Sequence, residues 1–180
     1  VRSLDPCAWV DGDTYYALIG SRVGSGEGDG TYLFRSQDLA VWDYVGPFYR
    51  SERRWTEADE DCAVPDFFPL GDKHVLFFAS HIRGAQCYIG TYADHRFIPE
   101  RHKRLAFGEG RVGMRPGILC ECQTLPDEAG RRVLFGRISE GRYGYVQRAS
   151  GWAGILALPM RLALSGEGEL GDRTVSPRTP

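Results

Sequence analysis

Asp66-Phe67-Phe68-Pro69-Leu70-Gly71-Asp72-Lys73-His74-Val75-Leu76-Phe77-Phe78-Ala79-Ser80 reads as two short apolar runs folded back on each other at a Gly-Asp turn. Runs of four to eight residues rich in β-branched and aromatic side chains, bounded by Gly, Pro and Asp, are strand signals, and a tight Gly-containing link between two of them makes a hairpin. The same pattern recurs on both sides. Upstream, Cys7–Val10, the turn Asp11-Gly12-Asp13 and Thr14–Gly20 are followed by Thr31–Arg35 and Trp42–Val45. Downstream, Gln86–Tyr92 and Arg96–Ile98 complete the central group, and a third copy opens with Ile118–Leu125, the turn Asp127–Gly130 and Arg132–Ile138. Gly12, Gly71 and Gly130 stand 59 residues apart, each just ahead of a strongly apolar strand. Helical periodicity is almost absent.

A repeat of this length carrying four short strands is the signature of a β-propeller blade, so the fold class expected is all-β, with roughly three to four blades present. Gly151–Pro159 reads as the opening of a further blade. The expected organisation is a partial β-propeller catalytic domain over 1–164, with 165–180 as a loose tail or the start of a continuation. Gly24–Gly30 lacks the Lys-Ser/Thr and following helix of a phosphate loop and reads as a hairpin excursion.

The 180 residues carry 42% hydrophobic and 12% aromatic side chains, enough for a packed core. Net charge is −2 with the basic residues scattered, which leaves no footprint for nucleic acid. Apolar runs such as Val75–Ala79 are far too short to cross a bilayer, so no membrane partner is expected. Cys7, Cys62, Cys87, Cys120 and Cys122 have no metal-like spacing and read as reduced, packed thiols, which favours a cytoplasmic setting. No metal and no cofactor is expected.

The first strand of each propeller blade lines the central channel, so acids on those strands are the chemical candidates. They are Asp5 in the first copy and Glu60, Asp61 and Asp66 in the second. Glycosidic bonds are broken by pairs of carboxyl groups, one protonating the leaving oxygen while the other attacks or activates water. Carboxylates beside Pro also cap turns, and aromatic residues such as Trp9, Trp42, Trp55, Phe67 and Phe68 suit blade packing as well as sugar stacking. His81, at the end of an apolar strand, reaches toward the channel mouth either as a ligand group or as a plain strand-end residue.

These residues resemble glycoside hydrolase family 32, the invertase, inulinase and levanase group. Leu4-Asp5-Pro6 is similar to the family's Arg-Asp-Pro, and Glu60 through Leu70 to its Glu-Cys-Pro-Asp element before an aromatic strand. Tyr88–Tyr92, Gly130–Gly136 and Gly151–Pro159 follow in the family's order. The resemblance implies a five-bladed propeller acting with retention on β-fructofuranosyl bonds of sucrose, fructo-oligosaccharides or fructans. It implies Asp5 as transition-state stabiliser, with Trp9, Asp66, Phe67 and His81 contacting the fructose-containing saccharide. The acid/base stays open between Glu60 and Asp61: if Cys62 sets the register Asp61 takes the acid position, whereas reading back from Pro65 puts Ala63 there. The family's nucleophile, an Asp of an Asn-Asp-Pro type motif on another blade, has no counterpart in the chain and is expected upstream of Val1. A non-catalytic sugar-binding propeller is the competing reading, and a propeller hydrolase of arabinan or xylan a third.

Overall fold

The structure, a computed structural model, describes residues 2–22, 28–105 and 118–174. The first blade is the antiparallel meander β1 (Arg2–Asp11), β2 (Thr14–Arg22), β3 (Asp29–Ser36) and β4 (Asp43–Arg50), hydrogen-bonded in that order. The second repeats it with β5 (Ala63–Leu70), β6 (Lys73–Ser80), β7 (Gly84–Ala93) and β8 (Arg96–Arg104). The turns at Gly12 and Gly71 are tight because both glycines take positive φ, 58° and 64°, which costs a residue without Cβ nothing.

The third blade departs from expectation at its far side. β9 (Leu119–Pro126) pairs with β10 (Arg132–Ile138), and the one helix among the described residues, α1 (Gly144–Ser150), follows. The next strand is split: β11 (Ile155–Leu156) pairs with Arg137 and Ile138, and β12 (Met160–Leu164) pairs with Val133 and Leu134. Residues 151–159 therefore continue this blade and do not open another one. Pro159 accounts for the split, because it has no N–H to offer the ladder. β13 (Leu170–Thr174) pairs with β12 as the outer strand. Of the Gly-rich stretch Gly24–Gly30 and the C-terminal tail, residues 24–27 and 175–180 lie outside the described residues.

The central strand of the second blade explains why its sequence is apolar without alternation. Val75 and Phe77 enter a core shared with Leu119, Leu134 and Leu162 of the third blade, whereas Leu76 and Phe78 enter one shared with Leu18, Leu33 and Phe48 of the first. A sheet buried on both faces needs apolar residues at every position. None of the five cysteines forms a disulfide, and all but Cys7 are buried.

The first two blades approach to backbone contact. A Cβ on Gly20 would stand 1.9 Å from the carbonyl oxygen of Cys62, so only glycine fits. Gly20→Ala must push β2 away from the segment entering β5, at an expected cost of about 3 kcal/mol. An unchanged chemical-denaturation midpoint for this variant would refute the blade spacing.

All three inner strands carry an irregularity at the same height. The register shifts between Leu4 and Pro6 in β1, between Ala63 and Asp66 in β5, and opposite Gly136 in β9. Val64 and Glu121 take positive φ there, 48° and 50°, a conformation uncommon outside glycine and rarest for a β-branched residue such as Val64. Bulges re-aim side chains and concentrate beside functional sites.

Candidate active site

The three bulges open one pocket. A cavity of about 310 Å³ is lined by Asp5, Ala63, Val64, Ala79, Ser80, His81, Cys120 and Glu121. Each blade contributes: the inner-strand bulges of β1, β5 and β9, and the end of β6 with its following turn. Its volume lies at the lower end of the ~300–1,000 Å³ of small-molecule sites.

Two carboxylates and an imidazole meet in this pocket. Asp5 is solvent-exposed on the bulge of β1. Glu121 receives Nε and Nη2 of Arg137 at 2.5 and 2.8 Å. That guanidinium holds the Glu121 carboxyl below its usual range against the opposing effect of burial, with His81 nearby acting in the same direction. Glu121 is thus a fixed negative charge facing the cavity. His81 is 64% exposed in its side chain, and its Nδ1 lies 2.6 Å from Oδ2 of Asp61. Oδ1 of the same carboxylate accepts the His81 backbone N–H at 2.9 Å. Asp61 is buried behind the imidazole and fixes both the ring and its main chain.

Glu60, adjacent in sequence, points elsewhere. It is 0% exposed and pairs bidentately with Arg104, Nη2 to Oε1 at 2.7 Å and Nη1 to Oε2 at 3.0 Å. The Glu57 backbone N–H and Gln86 Nε2 donate to its oxygens at 3.0 and 2.8 Å. Burial alone would raise its pKa, but these donors, Arg104 foremost, bring it down to about 2. His102 closes the network, its Nε2 2.7 Å from Gln86 Oε1, and burial with the Arg104 charge lowers its pKa to about 4. A carboxyl so held is ionised at any working pH and does not line the cavity.

Trp9, Asp66 and Phe67 line a second, wider depression of about 760 Å³, along with Pro6, His74, Tyr92, Thr124 and Arg132. Trp9 packs on Tyr16 and Phe67, with ring centroids 5.5 and 5.3 Å apart. Asp66 Oδ2 accepts the Thr124 backbone N–H and hydroxyl at 2.7 and 2.5 Å, tying β5 to β9. Burial raises the Asp66 pKa, opposed by Thr124 and Arg132. Of the residues named from the sequence, the structure therefore brings Asp5 and His81 together, with Asp61 behind His81. It sets Trp9, Asp66 and Phe67 in the neighbouring depression and Glu60 in the blade interior.

The sequence of residues 2–173 matches the glycosyl hydrolases family 32 N-terminal domain. The chain belongs to glycosyl hydrolase family 32. Sucrose-6-phosphate hydrolase of Vibrio alginolyticus is 26% identical over 89% of the chain and 34% of its own length. That of Salmonella typhimurium is 31% identical over 73% of the chain and 29% of its own length. The Bombyx mori β-fructofuranosidase BmSUC1 superposes with a TM-score of 0.75 at 21% identity, covering 96% of the chain and 37% of that structure. The chain spans about a third of the length of the curated relatives it matches.

Glu121 went unnoticed in this family 32 domain because the third inner strand keeps a different distance from its turn. Thr14, Lys73 and Arg132 open β2, β6 and β10 at the same 59-residue interval, but the turn before Arg132 spans residues 127–131 where the others take two. Counting by the repeat from Asp5 and Val64 lands on Gln123, two residues beyond the bulge. An isolated Glu between two cysteines gave no other signal.

Proposed function

We propose that this chain forms three blades of a fructoside-cleaving glycoside hydrolase, a retaining enzyme acting on the β-fructofuranosyl bonds of sucrose, fructo-oligosaccharides or fructans. The observation that carries the reading is the convergence of Asp5, Glu121 and His81 on one pocket at the bulged inner strands of a family 32 domain. Cleavage passes through an oxocarbenium-like transition state, and ionised carboxylates facing the ring stabilise the charge as it develops. Asp5 is the residue assigned that role, with Glu121 supplying a second fixed charge. The carboxylate nucleophile is assigned to a further blade of the working enzyme.

Asp5→Asn in the natural full-length gene product is expected to slow fructose release from sucrose or inulin by about 10²-fold or more, with thermal unfolding unchanged because Asp5 is exposed. Undiminished release would remove Asp5 from the site. A second reading, a propeller that binds a fructoside without cleaving it, is favoured by Ala63, which lines the pocket where a gapless count back from Pro65 puts the family's acid. Saturable binding of a fructo-oligosaccharide with no release of fructose would establish it.

A further inference from the structure

Asp5 is taken up by its stabilising role, and among the described residues no other carboxyl group suited to donating a proton faces the pocket. Ala63 carries none, Glu60 is sealed in its pair with Arg104, and Glu121 is held ionised by Arg137. Yet cleavage of an unactivated fructoside leaves a sugar alkoxide, which needs a proton as the bond breaks. Of the remaining pocket-lining side chains, His81 carries the type of group that most often transfers protons in catalysis.

Resting on the fructoside-hydrolase reading, we propose that His81, oriented by Asp61, is the proton-transfer residue of this pocket and stands in for the missing acid/base carboxyl. Three features of the geometry carry it. His81 lines the same cavity as Asp5 and Ala63. Asp61 takes Nδ1 at 2.6 Å, and that contact leaves Nε2 as the ring nitrogen available to a ligand. The second oxygen of Asp61 grips the His81 backbone N–H, so ring and chain are fixed by one buried carboxylate. This is the arrangement by which a carboxylate holds a catalytic imidazole in its tautomer and stabilises the imidazolium. Glu121 and Asp5 are the other acidic groups lining the cavity.

In the first half of the reaction the Nε2 proton passes to the glycosidic oxygen as the bond from that oxygen to the anomeric carbon breaks and the nucleophile carboxylate assigned to the further blade bonds to that carbon. The alcohol leaves, and the imidazole is neutral. In the second half water gives its oxygen to the anomeric carbon and one proton to Nε2 as the bond to the nucleophile carboxylate breaks, restoring the imidazolium and the free carboxylate. Fructoside and water become fructose and alcohol, and no other reagent is consumed. His81 touches the leaving oxygen and is catalytic; Asp61 acts through His81 and is a positioning residue.

The test compares two substrates in the natural full-length gene product: a fructo-oligosaccharide, whose leaving sugar needs protonation, and a nitrophenyl fructoside, whose leaving group departs as a stable anion. His81→Gln is expected to slow the first by roughly 10²-fold while holding the second within about threefold. Asp61→Asn is expected to give the same selective loss, smaller in size, whereas a merely structural role would slow both substrates together. Equal losses on the two substrates, or none on either, overturn the proposal. If the unaltered protein releases fructose from neither substrate, the fructosidase reading itself fails, and the role of the dyad falls with it.

Discussion

Glu60→Ala is expected to destabilise the protein by about 3 kcal/mol or more, because removing one partner of a buried ion pair leaves the other unpaired. Near this chain length that corresponds to a melting temperature lower by about 6–12 °C. Arg104 would lose both contacts to the carboxylate, and Gln86 and the Glu57 N–H would lose their acceptor. Glutamine is no gentler. Each Glu60 oxygen accepts two donors, so either orientation of an amide sets its NH2 against two N–H groups. The pair also anchors the segment that delivers Asp61 and Ala63 to the pocket, joined by a buried cluster in which Thr56 Oγ1 and Tyr88 Oη donate to Asp29 at 2.5 and 3.0 Å. A Glu60→Ala variant that melts with the parent would show that the network does not bear on the fold.

The same network sets the acid limb of stability. Glu60 is ionised down to about 2 in the folded chain against an ordinary 4.5, so its contribution is fully present above 4.5 and drains away as pH falls toward 2. His102 acts earlier. Its folded pKa of about 4 lies below the ordinary 6.5, so between those values the unfolded chain binds the proton that the folded chain refuses. Stability therefore falls with pH from about 6.5 and again below about 4.5. His102→Gln should shrink the first step, to which His74, its pKa lowered by burial, also contributes, and leave the second, read as denaturation midpoints across pH 3–8, a range chosen to span roughly both windows.

The strand pattern was legible because blades are made of local hairpins whose turns and apolar runs repeat. The triplet Gly12, Gly71 and Gly130 located every β-hairpin at an inner strand, and the unbroken apolar run in β6 reflected a sheet buried on both faces. What stayed hidden depends on residues that the chain brings together only by folding. Glu60 and Asp61 are neighbours in sequence, yet one enters the Arg104 pair and the other turns to His81, a choice made by donors 20 and 44 residues away. The bulges hid the rest. A single extra residue in an inner strand changes which side chain faces the pocket, and no periodicity marks it.

Ala63→Glu is expected to restore what His81→Gln removes. Ala63 lines the cavity at the edge of the β5 bulge, so a longer side chain there has about 310 Å³ of space to enter and need not displace the core. A carboxyl placed there would be partly desolvated and close to the Asp61, Asp5 and Glu121 carboxylates. Burial and like charge both raise a carboxyl pKa, which is the condition for a general acid near neutral pH. General acids contribute about 10²–10⁴-fold, so in the His81→Gln background the added glutamate should recover cleavage of the fructo-oligosaccharide by about 10²-fold. It should leave the nitrophenyl fructoside almost unaffected. The cost is thermodynamic: a buried carboxylate among others is expected to lower stability by about 1–3 kcal/mol, read in the melting curve of the same double variant. Recovery would show that His81 and position 63 address the same leaving oxygen. A folded double variant as slow as His81→Gln alone would mean that the glycosidic oxygen is bound beyond reach of β5, and that the bulge at Val64 shapes the pocket without touching the scissile bond.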